Sequence, residues 1–172
     1  MYGIYELKED YNQAEKLFYK IEQFIETLMK DNPLEYSKEL AYVKIQLATI
    51  EADKENYTKA IELYENAVTL LETEADGQLL RQMYLQHTYR CLADCYSKKE
   101  EYRQSVEKRK LAIQVQKDIL KDEKIKKWAK TENQKRLLEI YNEIIKDYEN
   151  LGNNDEVENY KQLASSLRRE CE

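Results

Sequence analysis

The residues best suited to chemistry lie in one nine-residue stretch, HTYRCLADC, which sets His87, Cys91 and Cys95 at intervals of four. Intervals of four stack side chains on one face of a helix, and imidazole with two thiols is a soft-metal or redox set. The geometry excludes one ion. Four residues advance a helix by about 6 Å, so the outer pair stands roughly 12 Å apart, whereas zinc bonds reach only about 2.0 to 2.3 Å. A fourth ligand is also lacking, because His87 is the only histidine and Cys171 lies far along the chain. A Cys91–Cys95 disulfide fails for a different reason: Cβ bonds on one helix face run parallel rather than converging. Cysteine here reads as a small apolar packing residue, and neither a metal nor another cofactor is expected.

Other chemistries find no better footing. The 34 Asp and Glu are spread along helix-forming sequence, as in KKEEYRQSVEKRK, a pattern of solvated faces and local ion pairs rather than a catalytic cleft. There is no glycine loop for phosphate, no nucleophile elbow and no paired-histidine zinc helix. No enzyme is expected. A formal charge of −6 argues against a general nucleic-acid binder. Residues 98–136 run against that balance, with fourteen Lys and Arg facing seven Asp and Glu. Such a stretch can steer an acidic peptide, an anion or RNA, or its lysines can rim a core built from Leu111, Ile113, Val115, Ile119, Leu120 and Ile125.

The elements that position these residues are helices. The 172-residue chain has three Gly and one Pro, and is rich in Glu, Lys, Leu, Ala and Gln. No uncharged run is long enough for a membrane span and the N-terminus has no signal-peptide pattern. Three cysteines, an odd number, fit a reducing compartment, so a cytoplasmic protein is expected. A repeat with an offset of 45 is present: Leu47, Ala48, Tyr57 and Ala67 align with Leu92, Ala93, Tyr102 and Ala112. Tyr141, Ile144, Ile145, Tyr148 and Ala164 follow the same plan near the C-terminus. Tyr5, Tyr11, Ala14 and Phe18 follow it near the N-terminus.

Tyr89, Leu92, Ala93 and Tyr96, followed by a second helix carrying Ala60, Tyr64 and Ala67 in the preceding copy, resemble the tetratricopeptide repeat (TPR). The resemblance implies an all-α fold of antiparallel helix pairs stacked in a right-handed superhelix; a HEAT-like helical repeat is the alternative. One domain over 1–172 is expected, with repeats near 1–31, 34–76, 78–122 and 124–170, the first cut short. Asn32 and Pro33, then Asp76 and Gly77, punctuate the junctions. A break near Lys121 to Lys124, flanked by lengthened helices, accounts for seven extra residues around DEKIKKWAK. The chain departs from the pattern where Lys44, Glu51, Arg109 and Lys161 replace aromatic residues, and a turn glycine survives only as Gly152.

The resemblance further implies that the first helix of each pair lines a concave groove that holds a protein or peptide. It places Tyr42, Ile45, Thr49, Asp53, His87, Arg90, Asp94, Lys98, Asn142 and Lys146 there. This set does not match the Lys and Asn clamp that some family members use for a chaperone's C-terminal carboxylate. Most tyrosines are expected to pack helices, with Tyr42 and Tyr36 exposed. A non-catalytic interaction scaffold is the first functional expectation. The sensor portion of a larger bacterial regulator, responding to a small peptide, is the second, and anion or RNA binding through 98–136 the third. Apolar terminal faces, Tyr2 and Ile4 at one end and Leu163 and Leu167 at the other, suggest end-to-end self-association.

Overall fold

A computed structural model describes residues 8–30, 35–72, 78–123, 125 and 129–171. Pro33, Asp76, Gly77, Trp128, Tyr2, Ile4 and Tyr5 lie outside them. Every regular element described is an α-helix, as the high content of helix formers requires. Two compact units divide between Asp76 and Gly77.

The first unit contains α1 (Lys8–Leu28), α2 (Ser37–Asp53) and α3 (Tyr57–Glu72). Its core gathers Ile25 of α1 with Leu40, Val43 and Leu47 of α2, and Leu63 and Leu70 of α3 pack against them. Tyr36 also joins this cluster, so it is half-buried rather than exposed, as its place one residue before α2 dictates. The second unit contains α4 (Gln78–Lys98), α5 (Tyr102–Lys121), α6 (Lys130–Asn150) and α7 (Asn154–Cys171). In it α4 packs on α5, α5 on α6, and α6 on α7.

Paired helices approach closely because the residues between them are small. Ala48, Ala60, Ala67, Ala93 and Ala112 have no solvent exposure, and large neighbours such as Leu47, Tyr64, Leu92 and Ile144 fill the space beside them. Cys95 is buried one turn after Leu92, as a small packing residue should be. Ile113 and Ile119 enter the core as expected, but Leu111 is exposed. Its neighbours Ala112 and Ile113 take the inward positions, and Leu111 falls on the opposite side of the helix.

Three-residue turns connect α2 to α3, α4 to α5 and α6 to α7. Each has the same construction. Glu55, Glu100 and Gly152 adopt φ of 63°, 61° and 69°. The amide of the next residue, Asn56, Glu101 or Asn153, donates to the carbonyl of Glu51, Tyr96 or Tyr148, at 2.8, 2.9 and 3.0 Å. These are Schellman closures, in which a left-handed residue lets the chain satisfy its last carbonyls and reverse. Glycine is the natural occupant, since a Cβ disfavours that backbone. The chain carries glutamate at two of the three sites. The connection from α5 to α6 differs: α5 ends at Lys121, and Asp122 after it is extended with ψ 124°. Helix α6 begins only at Lys130, and α5 has 20 residues against 16 in α3, so the added residues are shared between a longer α5 and the connector.

The turns yield a stability test. Glu55→Gly and Glu100→Gly should each stabilise the protein by about 0.5–1 kcal/mol, and Gly152→Ala should destabilise it by a similar amount. Urea unfolding midpoints followed by circular dichroism measure both signs.

Candidate functional site

The outward side of α4 presents His87, Arg90, Asp94 and Lys98, one per turn, and neighbouring α6 presents Asn142 and Lys146. A buried arginine holds these two helices together. Arg109 of α5 is 4% exposed and reaches three carboxylates. Its Nε donates to Asp147 Oδ2 at 2.6 Å, Nη1 to Glu143 Oε2 at 2.8 Å, and Nη2 to Asp94 Oδ1 at 2.9 Å. Arg90 continues the chain of charges, donating to Glu143 Oε1 at 2.6 Å and lying 3.3 Å from Glu139 Oε2.

Asp147, 1% exposed, is further enclosed by hydroxyls. Ser97 Oγ donates to its Oδ1 at 3.0 Å. Ser105 Oγ sits 2.6 Å from Oδ2 and 2.8 Å from the Ala93 carbonyl, its single proton serving one at a time. Burial alone would discourage the Arg109 charge; the charges of Asp147 and then Asp94 outweigh it and raise the guanidinium's pKa. Arg90 behaves alike, with Glu143 opposing burial.

The expected wall residues therefore fall into two kinds. Arg90 and Asp94 are tied into the network, whereas His87, Lys98, Asn142 and Lys146 are exposed. Three network members, Arg109, Glu143 and Asp147, were not among the expected site residues. The sequence carried one signal for them: Arg109 stands where the repeat has an aromatic residue. A buried cation at an aromatic position needs anions at helix spacing, and Glu143 and Asp147 are four apart on the facing helix.

The other departures have the same explanation. Glu51 is buried and accepts from Lys59 Nζ at 2.5 Å and Asn56 Nδ2 at 2.9 Å. Burial alone would raise its pKa, but Lys59 and Asn56 outweigh this and hold it below the usual carboxylate range. Lys44 pairs with Glu22 of α1 at 2.7 Å. Lys161 and Glu149 stand 3.6 Å apart with both side chains half exposed, a contact of little energetic consequence.

In the first unit the expected residues separate. Tyr42 is 41% exposed and Asp53 is exposed, but Ile45 is only 2% exposed and belongs to the core. The spacing that put Ile45 on the wall overlooked that α2 is covered on two sides, by α1 and α3. Thr49 is half-buried, donating to the Ile45 carbonyl at 2.9 Å or sharing a hydrogen bond with the Tyr64 hydroxyl at 3.0 Å. Asp53 lines an open cleft with Tyr11, Asn12, Lys54 and Glu55, in which Lys54 is paired with Glu15.

Among the described residues no group of three His, Cys, Asp or Glu could hold an ion. His87 Nε2 lies 3.6 Å from Cys91 Sγ. Desolvation first, then the Arg90 charge, holds the His87 pKa below the usual imidazole range. Burial pushes the Cys95 thiol up to about 12, so it is inert near neutral pH.

Part of the basic stretch is also absorbed by the fold. Lys110 and Lys117 lie over the rings of Tyr148 and Tyr141, at 5.8 and 5.9 Å. Both rings pack on Tyr160 with centroids 5.8 Å away. These are cation–π contacts between α5 and α6 rather than a free basic surface. At the C-terminal end Leu167 is buried and Leu163 is 39% exposed.

No family model matches the sequence, and no curated protein sequence matches it. Among solved structures, BtubC (BKLC) from P. vanneervenii aligns with a TM-score of 0.62 at 16% identity, over 91% of this chain and 56% of that one. The fold is that of a TPR-like repeat protein. The chain thus spans little more than half the length of BtubC. MamA matches more loosely, with a TM-score of 0.37 and 14% identity over 97% of this chain and 98% of its own. So do the TPR-like repeats of a kinesin light chain from Podosopora anserina, at 0.41 and 11% over 92% and 94%. Among the described residues of this TPR-like chain, no helix is long and apolar enough to cross a membrane.

Two outcomes follow from the network and the wall. Arg109→Ala strands the buried Asp147 and should cost about 3–5 kcal/mol, far more than Lys161→Ala, measured by urea unfolding. The single imidazole resonance should titrate below the 6.5 of an unperturbed histidine, and Arg90→Gln should raise its midpoint, read by proton NMR.

Proposed function

We propose that this TPR-like chain is a non-catalytic protein-interaction module of a reducing, cytoplasmic setting. Its contact surface for a protein or peptide segment is the α4 and α6 side of the second unit. The observation that supports this reading is the network itself. Arg109 and Arg90 bridge Asp94, Glu139 and Glu143 and tie two first helices side by side. His87, Lys98, Asn142 and Lys146 are left exposed on a rigid support, which limits the entropy lost when they engage a partner. Ser97 bonded to Asp147 sets Lys98 and Lys146, their chain neighbours, at the same level of the two helices.

Arg90 and Asp94 act in this reading as positioning residues, so replacing them tests the scaffold more than the surface. The exposed residues give the cleaner experiment. A benzoylphenylalanine photo-crosslinker at Lys98 or Asn142 should capture one and the same protein from a lysate of the source organism. Placed at Glu62, on exposed α3 surface, it should not. Capture of that protein from Glu62 but not from the wall would overturn the assignment.

A further inference from the structure

His87 and Cys91 share a contact that the ion-pair network does not use. His87 is exposed and Cys91 half-buried on the outward side of α4, with His87 Nε2 3.6 Å from Cys91 Sγ. Zinc bonds sulfur at about 2.3 Å and imidazole nitrogen at about 2.0 Å, so two such ligands at a tetrahedral angle stand about 3.5 Å apart. An ion can therefore replace the proton between this pair with little movement of either side chain. The thiol proton leaves to solvent and a thiolate remains on the metal.

One chain supplies only half of such a site. Cys95 is buried a further turn along α4, and no group of three His, Cys, Asp or Glu among the described residues could hold an ion. Structural zinc is almost always four-coordinate, two cysteines with two histidines being one of its common sets. Charge also disfavours an ion held by one chain and water. The cations that act on His87 are Arg90 and Arg136, and the anion is Asp94, itself bonded to Arg109. A single thiolate leaves the ion positive beside these arginines, whereas two thiolates make it neutral.

A second copy provides the other half. A two-fold axis crossing α4 midway between His87 and Cys91 sets His87 of each copy beside Cys91 of the other, as an isologous contact requires. The rest of the outward stripe suits the same axis. Leu80, Met83, His87, Cys91, Asp94 and Lys98 recur at intervals of three and four, nearly the same in either direction. Exposed Leu80 then meets the aliphatic stem of Lys98, and exposed Met83 lies near Asp94, so no like charges of the stripe face each other. Arg90 is drawn aside toward Glu139 and Glu143 of α6. We infer that two copies of this chain share one zinc ion, each giving it His87 and Cys91.

The reduced, metal-stripped full chain tests this on addition of zinc. Sedimentation velocity should show monomer converting to dimer, and metal analysis of the dimer should find one zinc per two chains. Cobalt(II) in place of zinc should give a thiolate charge-transfer band and the strong visible bands of a tetrahedral ion. His87→Gln and Cys91→Ser should abolish those bands and weaken zinc-driven dimerisation at least tenfold, with circular dichroism unchanged; Cys171→Ser should alter neither. Zinc should also slow alkylation of Cys91 in the parent chain at least tenfold, a readout that needs no variant to fold. Absence of tetrahedral bands, no change in sedimentation with zinc, one zinc per chain without a dimer, equal alkylation rates, or a zinc-driven dimer that survives Cys91→Ser would each overturn the inference. Crosslinks from Lys98 or Asn142, run with a zinc chelator present, report on the wall without the dimer, so the ion and the wall succeed or fail separately.

Discussion

Close contact between paired helices is the constraint from which the rest of this structure follows. Where Ala48, Ala60, Ala67, Ala93 and Ala112 meet a neighbouring helix, the backbones come near enough for large side chains above and below to interlock. Such contact fixes the direction of the whole helix, and so decides which residues are outward. His87, Lys98, Asn142 and Lys146 are exposed because Leu92, Ala93, Ile140 and Ile144 are not. Helices held this tightly also need abrupt reversals, which the left-handed Glu55, Glu100 and Gly152 provide.

Much of this was legible in the residues. The offset of 45 that aligns Leu47 and Ala48 with Leu92 and Ala93 locates both helix pairs, because a repeat copies its small contacts along with its large ones. The break after Lys121 was legible from an insertion count. Ile45 was not, since the period assigns a residue to a helix side without saying how many helices cover that side. Leu111 failed for a related reason, being apolar and adjacent to core residues yet turned away from them. Tyr36 failed because a residue beside a helix start can fold back onto the core.

The candidate wall was half legible. Its exposed members follow from helix phase, but its organisation depends on Arg109, a residue whose partners lie 34 and 38 positions away on another helix. The departures from the repeat pattern were the informative positions. Lys44, Glu51 and Arg109 each stand where an aromatic ring is usual, and each meets an opposite charge. Ion pairs substitute here for ring packing, and they impose directional geometry that aromatic contacts do not.

That substitution restricts how the chain can change over time. Returning Arg109 to an aromatic residue in one step would leave Asp147 buried without a cation, and neutralising Asp147 alone would leave the guanidinium in a closed site short of an anion. Either intermediate is poorer than both end states. Positions 109 and 147 therefore form a locked pair in sequence space. Related chains that keep this architecture should carry both charges or neither, with Glu143 and Ser105 drifting only after that choice is made.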